Sequence, residues 1–247
     1  MDYLKEKIRF SADSLKLIAI IIMFVDHAAY GLLHLYLQNN AFTIDPNLYT
    51  KYNNVYNGMR DFGRIAFPIF AFFLVEGFFH TRNVYKYALR LGIFAVISEI
   101  PFDLGLYQQI GYDNHQNVMM TLFIGLVTMI ILDYIKKLPG YSDILRAILY
   151  ICVSIAAMDI GQLTHCDYRW KGIMVIIVLY FAHQYNPFRL IAGSAAICWE
   201  KFAPIAFLLL FFYDESKKPS RKLKYVFYLF YPVHLIIIYI IGTCLNL

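Results

Sequence analysis

The chain has 247 residues, of which 60% are hydrophobic, 18% aromatic and only 16% charged, with a positive mean hydropathy of +0.54. Soluble domains carry about 45–50% apolar and about 25% charged residues, so an ordinary soluble enzyme is excluded and a sizeable extramembranous domain has no room. The net charge of +5 reads as cytoplasmic anchoring rather than nucleic-acid binding, and four scattered cysteines without CxxC spacing give neither a metal site nor a disulfide framework.

Apolar runs approaching the roughly 20 residues that cross a bilayer predict an all-α polytopic transmembrane bundle of about nine helices. They fall at 14–36, 61–80, 85–107, 117–136, 142–163, 170–184, 188–199, 202–213 and 225–245, in a single domain over 1–247. With the N-terminus cytoplasmic, most of the 22 Lys and Arg residues lie on the inner side. The seventh and eighth segments are short and read equally as re-entrant.

The first run, Leu15 to Leu37, carries Asp26 and His27 halfway along. An ionisable side chain at bilayer depth costs at least ~2.5 kcal/mol, so it should face the bundle interior and find partners. His27 follows Lys16 by eleven residues, which places it ~16 Å in. His27, Tyr30 and His34 recur at helical spacing and are expected on one face, with Asp26 turned about 100° away. Gln38 to Arg60, rich in Asn and Tyr, reads as a solvated connector long enough to cap a cavity.

The second helix, "DFGRIAFPIFAFFLVEGFFHTRN", sets Arg64 near its outer end, Pro68 as a kink and Glu76 towards its inner end. Arg82, Lys86 and Arg90 then form a basic stripe, either positive-inside anchoring or a phosphate-binding mouth. In "VISEIPFDLGLY", Glu99 and Asp103 share a face around Pro101. Together with Arg64, Asn117 and Asp159 they map to the outer half, as an ion-pair network or as an acidic pocket for a cationic group. Asp214 to Lys224, "DESKKPSRKLK", is a charged cytoplasmic turn suited to anionic lipid. The last helix places His234 ten residues beyond Lys224, ~15 Å deep and level with His27.

No Walker A, GxGxxG, HExxH or GxSxG string occurs, so nothing points to nucleotide hydrolysis, zinc hydrolysis or a serine nucleophile. A neutral histidine in an apolar cavity is a good general base. Cations on the inner rim suit a phosphorylated donor, and acids on the outer rim suit an amine. These features describe group transfer across the membrane. Residue types alone leave a proton-coupled transporter, which also uses Asp, Glu and His at depth, as the alternative.

"LKLIAIIIMFVDHAAYGLL", "GRIAFPIFAFFLVEGFFHTRN", "YKYALRLGIFAVISEIPFDL", "DYRWKGIMVIIVLYF" and "FYLFYPVHLIII" resemble the TraX family, named for the conjugation protein that acetylates the N-terminus of F-type pilin. The similarity runs over nearly the whole chain, and its most specific parts are "GR-AFP-FAF" and "YP-HL". More distantly, the pattern is similar to integral-membrane acyltransferases that use acetyl-CoA, including sugar O-acyltransferases and the lysosomal heparan glucosaminide N-acetyltransferase.

The resemblance implies an acetyl-CoA-dependent acetyltransferase of the cell inner (plasma) membrane. It puts the catalytic role on His27 and the lining of a CoA channel on Arg64, Phe67 and Pro68. In the expected mechanism CoA phosphates meet Arg82, Lys86 and Arg90. The acceptor, a peptide N-terminus, amine or glycan, is drawn by Glu99, Asp103, Asn117 or Asp159. His27 acts as general base or acyl carrier with Asp26 in support, and Tyr231 or His234 donates to the oxyanion. No resident metal is expected.

Overall fold

The computed structural model describes residues 9–217, 220 and 223–247. Among these, helix dominates, and the only extended pairings are isolated bridges between Phe10 and Tyr213 and between Gln116 and Cys166. In chain order, α1 (Ala12–Ala28) runs into a π turn (Ala29–His34) and α2 (Leu35–Asn39). There follow α3 (Pro46–Gly63), α4 (Ala66–His80), α5 (Val84–Ile97), α6 (Glu99–Tyr107), α7 (Val118–Lys137) and α8 (Asp143–Leu163). The chain closes with α9 (Arg169–Ala182), α10 (Phe188–Ala196), α11 (Ile205–Phe211) and α12 (Leu223–Cys244).

Among the described residues, five stretches are long and apolar enough to cross a membrane: Ala12–Asn39, Pro46–His80, Val118–Lys137, Asp143–Leu163 and Tyr225–Cys244. The protein is a polytopic helical membrane protein, and every predicted segment contains a helix. The segments expected at 188–199 and 202–213 are represented by helices of 9 and 7 residues, only ~14 and ~11 Å long, too short for a bilayer core. Of the charged turn over Asp214 to Lys224, residues 218, 219, 221 and 222 lie outside the described residues.

Helix starts follow capping chemistry. The Ser11 hydroxyl accepts the Ser14 N–H at 3.1 Å, and the Asn83, Asn117 and Ser142 side chains do the same for α5, α7 and α8. Two expectations need correction here. The connector expected over Gln38 to Arg60 is largely helix α3. Asp45 accepts the N–H groups of Asn47 and Leu48 at 2.9 and 3.1 Å, and Pro46 takes the first position, where its missing N–H costs nothing. Its polar faces hide it from a search for apolar runs. The helix expected over 85–107 restarts after Ser98, because Pro101 has no N–H to give the Ile97 carbonyl.

The chain divides into two compact units. Unit 1 comprises the described part of Met1–Phe70 with Ile100–Tyr112 and Ile197–Leu247. There α1 packs on α3 and α12, around buried Leu15, Ala19, Met23, Leu235 and Ile238. Glycines permit the close approaches. A Cβ on Gly31, in the π turn, would collide with the Gly105 carbonyl of α6 and come within 2.6 Å of Ile238 on α12. One on Gly105 would fall 2.7 Å from the Leu235 carbonyl. Unit 2 comprises Ala71–Glu99 and Asp113–Ala196. Its α7, α8 and α9 pack together over Leu126, Met129, Ile173 and Ile176, with α5 on α7 and α10 on α9.

Candidate functional site

In unit 1, the end of α1 delivers His27 to a buried position, 6% exposed, and α12 delivers His234, 2% exposed. Their rings lie nearly parallel, 7° apart, and His27 Nδ1 is 2.7 Å from His234 Nε2. The depths counted from the sequence place the two imidazoles level, and the structure joins them. His234 Nδ1 is in turn 2.7 Å from the Phe230 carbonyl oxygen. Tyr231, also buried, presents its ring edge-on to both imidazoles.

The tautomers follow by elimination. A carbonyl oxygen only accepts, so His234 Nδ1 carries the proton and donates to Phe230. In a neutral ring His234 Nε2 is then the acceptor, and His27 Nδ1 must donate to it. Neutral His27 therefore keeps its lone pair on Nε2. That nitrogen is the basic end of a three-membered chain, comparable in logic to a histidine oriented by a hydrogen-bonded partner.

The π turn begins two residues after His27. Such turns insert one extra residue and occur frequently at functional sites. Its effect corrects the expectation that His27, Tyr30 and His34 share one face. Instead, Tyr30 and His34 sit 5.0 Å apart and face α3: His34 stacks on Tyr56 at 5.2 Å, and the Arg60 guanidinium lies 5.2 Å over Tyr30. Asp26 also turns to α3, where its carboxylate pairs with Arg60 at 2.8 Å. Gly63 makes this possible, since a Cβ there would overlap the Asp26 side chain.

Arg64 pairs with Glu200 at 3.6 Å, and Phe67 and Pro68 are buried. Asp103 accepts the N–H groups of Gly111 and Tyr112 at 2.8 and 3.1 Å. The other residues expected at the site belong to unit 2. Asn117 caps α7 and donates through its amide to the Ala95 carbonyl and the Glu99 carboxylate. Arg82 and Lys86 are exposed, Arg90 is half-buried, and Asp159 stands exposed on α8. Among the described residues no group of His, Cys, Asp and Glu could hold a metal ion.

Three participants escaped the sequence reading. The Phe230 carbonyl has no side-chain signature. Arg60 was placed in a connector, although "DP" at 45–46 marks a helix start that would put Tyr56, Arg60 and Gly63 on one face. Arg189, expected in an inner loop, is 4% exposed in unit 2. It pairs with Glu76, which His183 also approaches at 3.2 Å, and lies 4.5 Å over Phe72.

Fold and site define a class: a helical membrane protein that holds a hydrogen-bonded histidine pair at depth. Residues 11–242 match the family model described as TraX protein, and the chain belongs to the TraX family. It is 31% identical over 268 residues to "Probable fimbrial assembly protein FimC, serogroup H1" of Dichelobacter nodosus, covering 94% of this chain and 96% of that relative. No solved structure matches.

Proposed function

We propose that this protein is a membrane-embedded acetyltransferase of the inner membrane that moves an acetyl group from acetyl-CoA to an amine or hydroxyl of an acceptor. The observation that carries the reading is the His27–His234–Phe230 chain, because it leaves a neutral imidazole with its lone pair directed away from its partner. Membership of the TraX family and a relative named for fimbrial assembly favour a pilin-type subunit, or a group attached to one, as acceptor. Arg64, Phe67 and Pro68 are the residues on which the family resemblance places its channel.

Acetyl-CoA supplies an activated acyl carbon in its thioester. His27 Nε2 removes the proton of the acceptor N–H or O–H as that atom bonds to the acyl carbon. The imidazolium so formed strengthens its Nδ1–H bond to His234, which the Phe230 carbonyl holds in the accepting tautomer. His27 then returns the proton to the departing sulfur as the C–S bond breaks. The Tyr231 hydroxyl is the candidate donor to the acyl oxygen in the transition state.

The same chain argues against proton-coupled transport. It ends on a peptide carbonyl, which neither titrates nor passes a proton onward, so it serves a base better than a conduction path. The test is transfer of labelled acetyl from acetyl-CoA to a pilin-containing membrane fraction by purified protein. Wild type transfers and His27→Ala falls by about 10²–10⁴-fold. A correctly folded His27→Ala protein that transfers at the wild-type rate overturns the assignment. Proton-gradient-dependent uptake without acetyl-CoA consumption would favour the transporter.

A further inference from the structure

The first crossing, Ala12–Asn39, has 28 residues and carries Asp26 at its middle, ~20 Å from either end. Ion pairs bring other parts of unit 1 to that depth. Arg60 of α3 reaches Asp26 at 2.8 Å, Asp61 of the same helix meets Lys201 at 3.7 Å, and Arg64 meets Glu200 at 3.6 Å. The irregular turn over residues 197–204 is thereby held near the bilayer centre. Backbone of that kind is tolerated at such depth only where protein covers it or water reaches it. Protein does not cover it. Side-chain exposure falls from 75% at Lys201 through 38% at Asp61 and 24% at Arg64 and Glu200 to 12% at Asp26. Lysine can carry its charge towards a surface only by the length of its stem, and the acids by less, so stretching does not lift these groups out of a hydrocarbon core ~30 Å thick.

Helix α3 leads from these groups to a membrane surface. Starting at Arg60, level with Asp26, it runs back beside the end of the first crossing, with Tyr56 on His34 and Tyr52 6.1 Å from Tyr36. One face of the helix packs there. Another carries Lys51, Asn54, Asn57 and Asp61 at helical spacing, the first three exposed and Asp61 partly so. From Lys51 to Asp61 is ~15 Å, about half of a hydrocarbon core. Amides and charges set against lipid tails along that length would be expensive, whereas in water they are at home.

We propose that unit 1 holds a water-filled vestibule, descending along Lys51, Asn54, Asn57 and Asp61 to Glu200 and Lys201, and that the acetyl acceptor reaches His27 through it. The use of the vestibule rests on the acetyl-transfer reading; its existence does not. It narrows onto Asp26, the chain neighbour of His27, so the base stands at its floor. It opens at the Asn39 end of the first crossing, opposite Lys16 and the bridge between Phe10 and Tyr213. A hydrophilic chain end carried in water fits this entrance, and a group dissolved among lipid tails does not.

The test uses full-length protein in lipid vesicles, with a charged, membrane-impermeant methanethiosulfonate reagent present on both faces. The reagent attacks thiolates, which form where water meets the sulfur. Two native cysteines are exposed at depth: Cys198 in the 197–204 turn, and Cys152 near the middle of the Asp143–Leu163 crossing. Digestion and mass spectrometry of the wild-type protein read both in one sample. Cys198 is modified about 10-fold or more faster than Cys152, and a thiol introduced by Asn57→Cys reacts as Cys198 does. With a bulky form of the reagent, most acetyl transfer is lost relative to the untreated protein, and Cys198→Ala removes that sensitivity. Cys198 and the Asn57→Cys thiol reacting no faster than Cys152 overturns the vestibule. Complete modification at both positions with transfer unchanged overturns the route. Fast modification of a protein that transfers no acetyl even untreated leaves the vestibule standing and fells the acetyl-transfer reading instead.

Discussion

Each unit buries a cluster of ionisable side chains, and the two clusters are put together on opposite principles. In unit 2 the Glu76 carboxylate of α4 collects Arg189 of α10 and His183 at the end of α9, with Phe72 beneath the guanidinium and Phe79 stacked on His183 at 3.9 Å. Charge meets opposite charge, and the cluster ties three helices. In unit 1 two neutral imidazoles hydrogen bond in sequence to a carbonyl, and the arithmetic of donors leaves one lone pair over. Burial is similar in both. A cluster that balances its own charges is a fastening, whereas one that ends with a directed surplus is equipped to react.

The comparison predicts that lesions in the two clusters fail differently. His27→Ala is expected to lower acetyl transfer by about 10²–10⁴-fold, far beyond the melting loss of about 1–3 kcal/mol from leaving the buried His234 Nε2 unpaired; an activity loss no larger than the folded fraction lost would make the pair a fastening too. Glu76→Ala leaves Arg189 buried without its counter-charge, and breaking a buried pair costs about 3–5 kcal/mol. It should melt early yet transfer at a normal rate per folded molecule, as read by activity normalised to a folded fraction. Selective loss of turnover without loss of stability would move Glu76 into the chemistry.

Smaller effects sharpen the contrast. Gly63→Ala forces a methyl against Asp26 and disturbs its pairing with Arg60, and overpacking of this kind costs about 1–3 kcal/mol. Because Asp26 adjoins His27, this variant should lose turnover as well as stability, unlike Ser11→Ala, which removes a cap worth about 1 kcal/mol and should change melting alone. The smallest effect concerns Cys166 in unit 2, a fully buried thiol that donates to the Gly161 carbonyl. Burial pushes its pKa above the ordinary value. The thiol ionises more easily in the unfolded chain, so folding stability should fall as pH rises above about 8.5. Melting followed from pH 7 to 10 should show that decline, and Cys166→Ala should flatten it.

Much of this was legible because depth is countable. Eleven residues from Lys16 and ten from Lys224 put His27 and His234 level, and a fixed rise per residue turned spacing into a meeting of side chains. Apolar runs located the helices for the same reason, since the bilayer sets their length. What could not be read was rotation. The π turn lies where Gly31 packs against Gly105, a tertiary contact, and Tyr30 and His34 leave it away from the face that regular spacing gives them. Helix α3 was missed because half-polar faces weaken the apolar signal while its Asp45–Pro46 cap stays local. Arg189 was misplaced because a cation counts towards topology until a buried acid is seen to claim it.

The acceptor at the far end of the histidine pair is a main-chain oxygen, one turn back along the helix that carries His234. No codon change at position 230 can delete it, and any residue there offers the same atom. Alanine scanning would register only a duo, although the working unit is a trio whose last member is inherited from helical geometry itself.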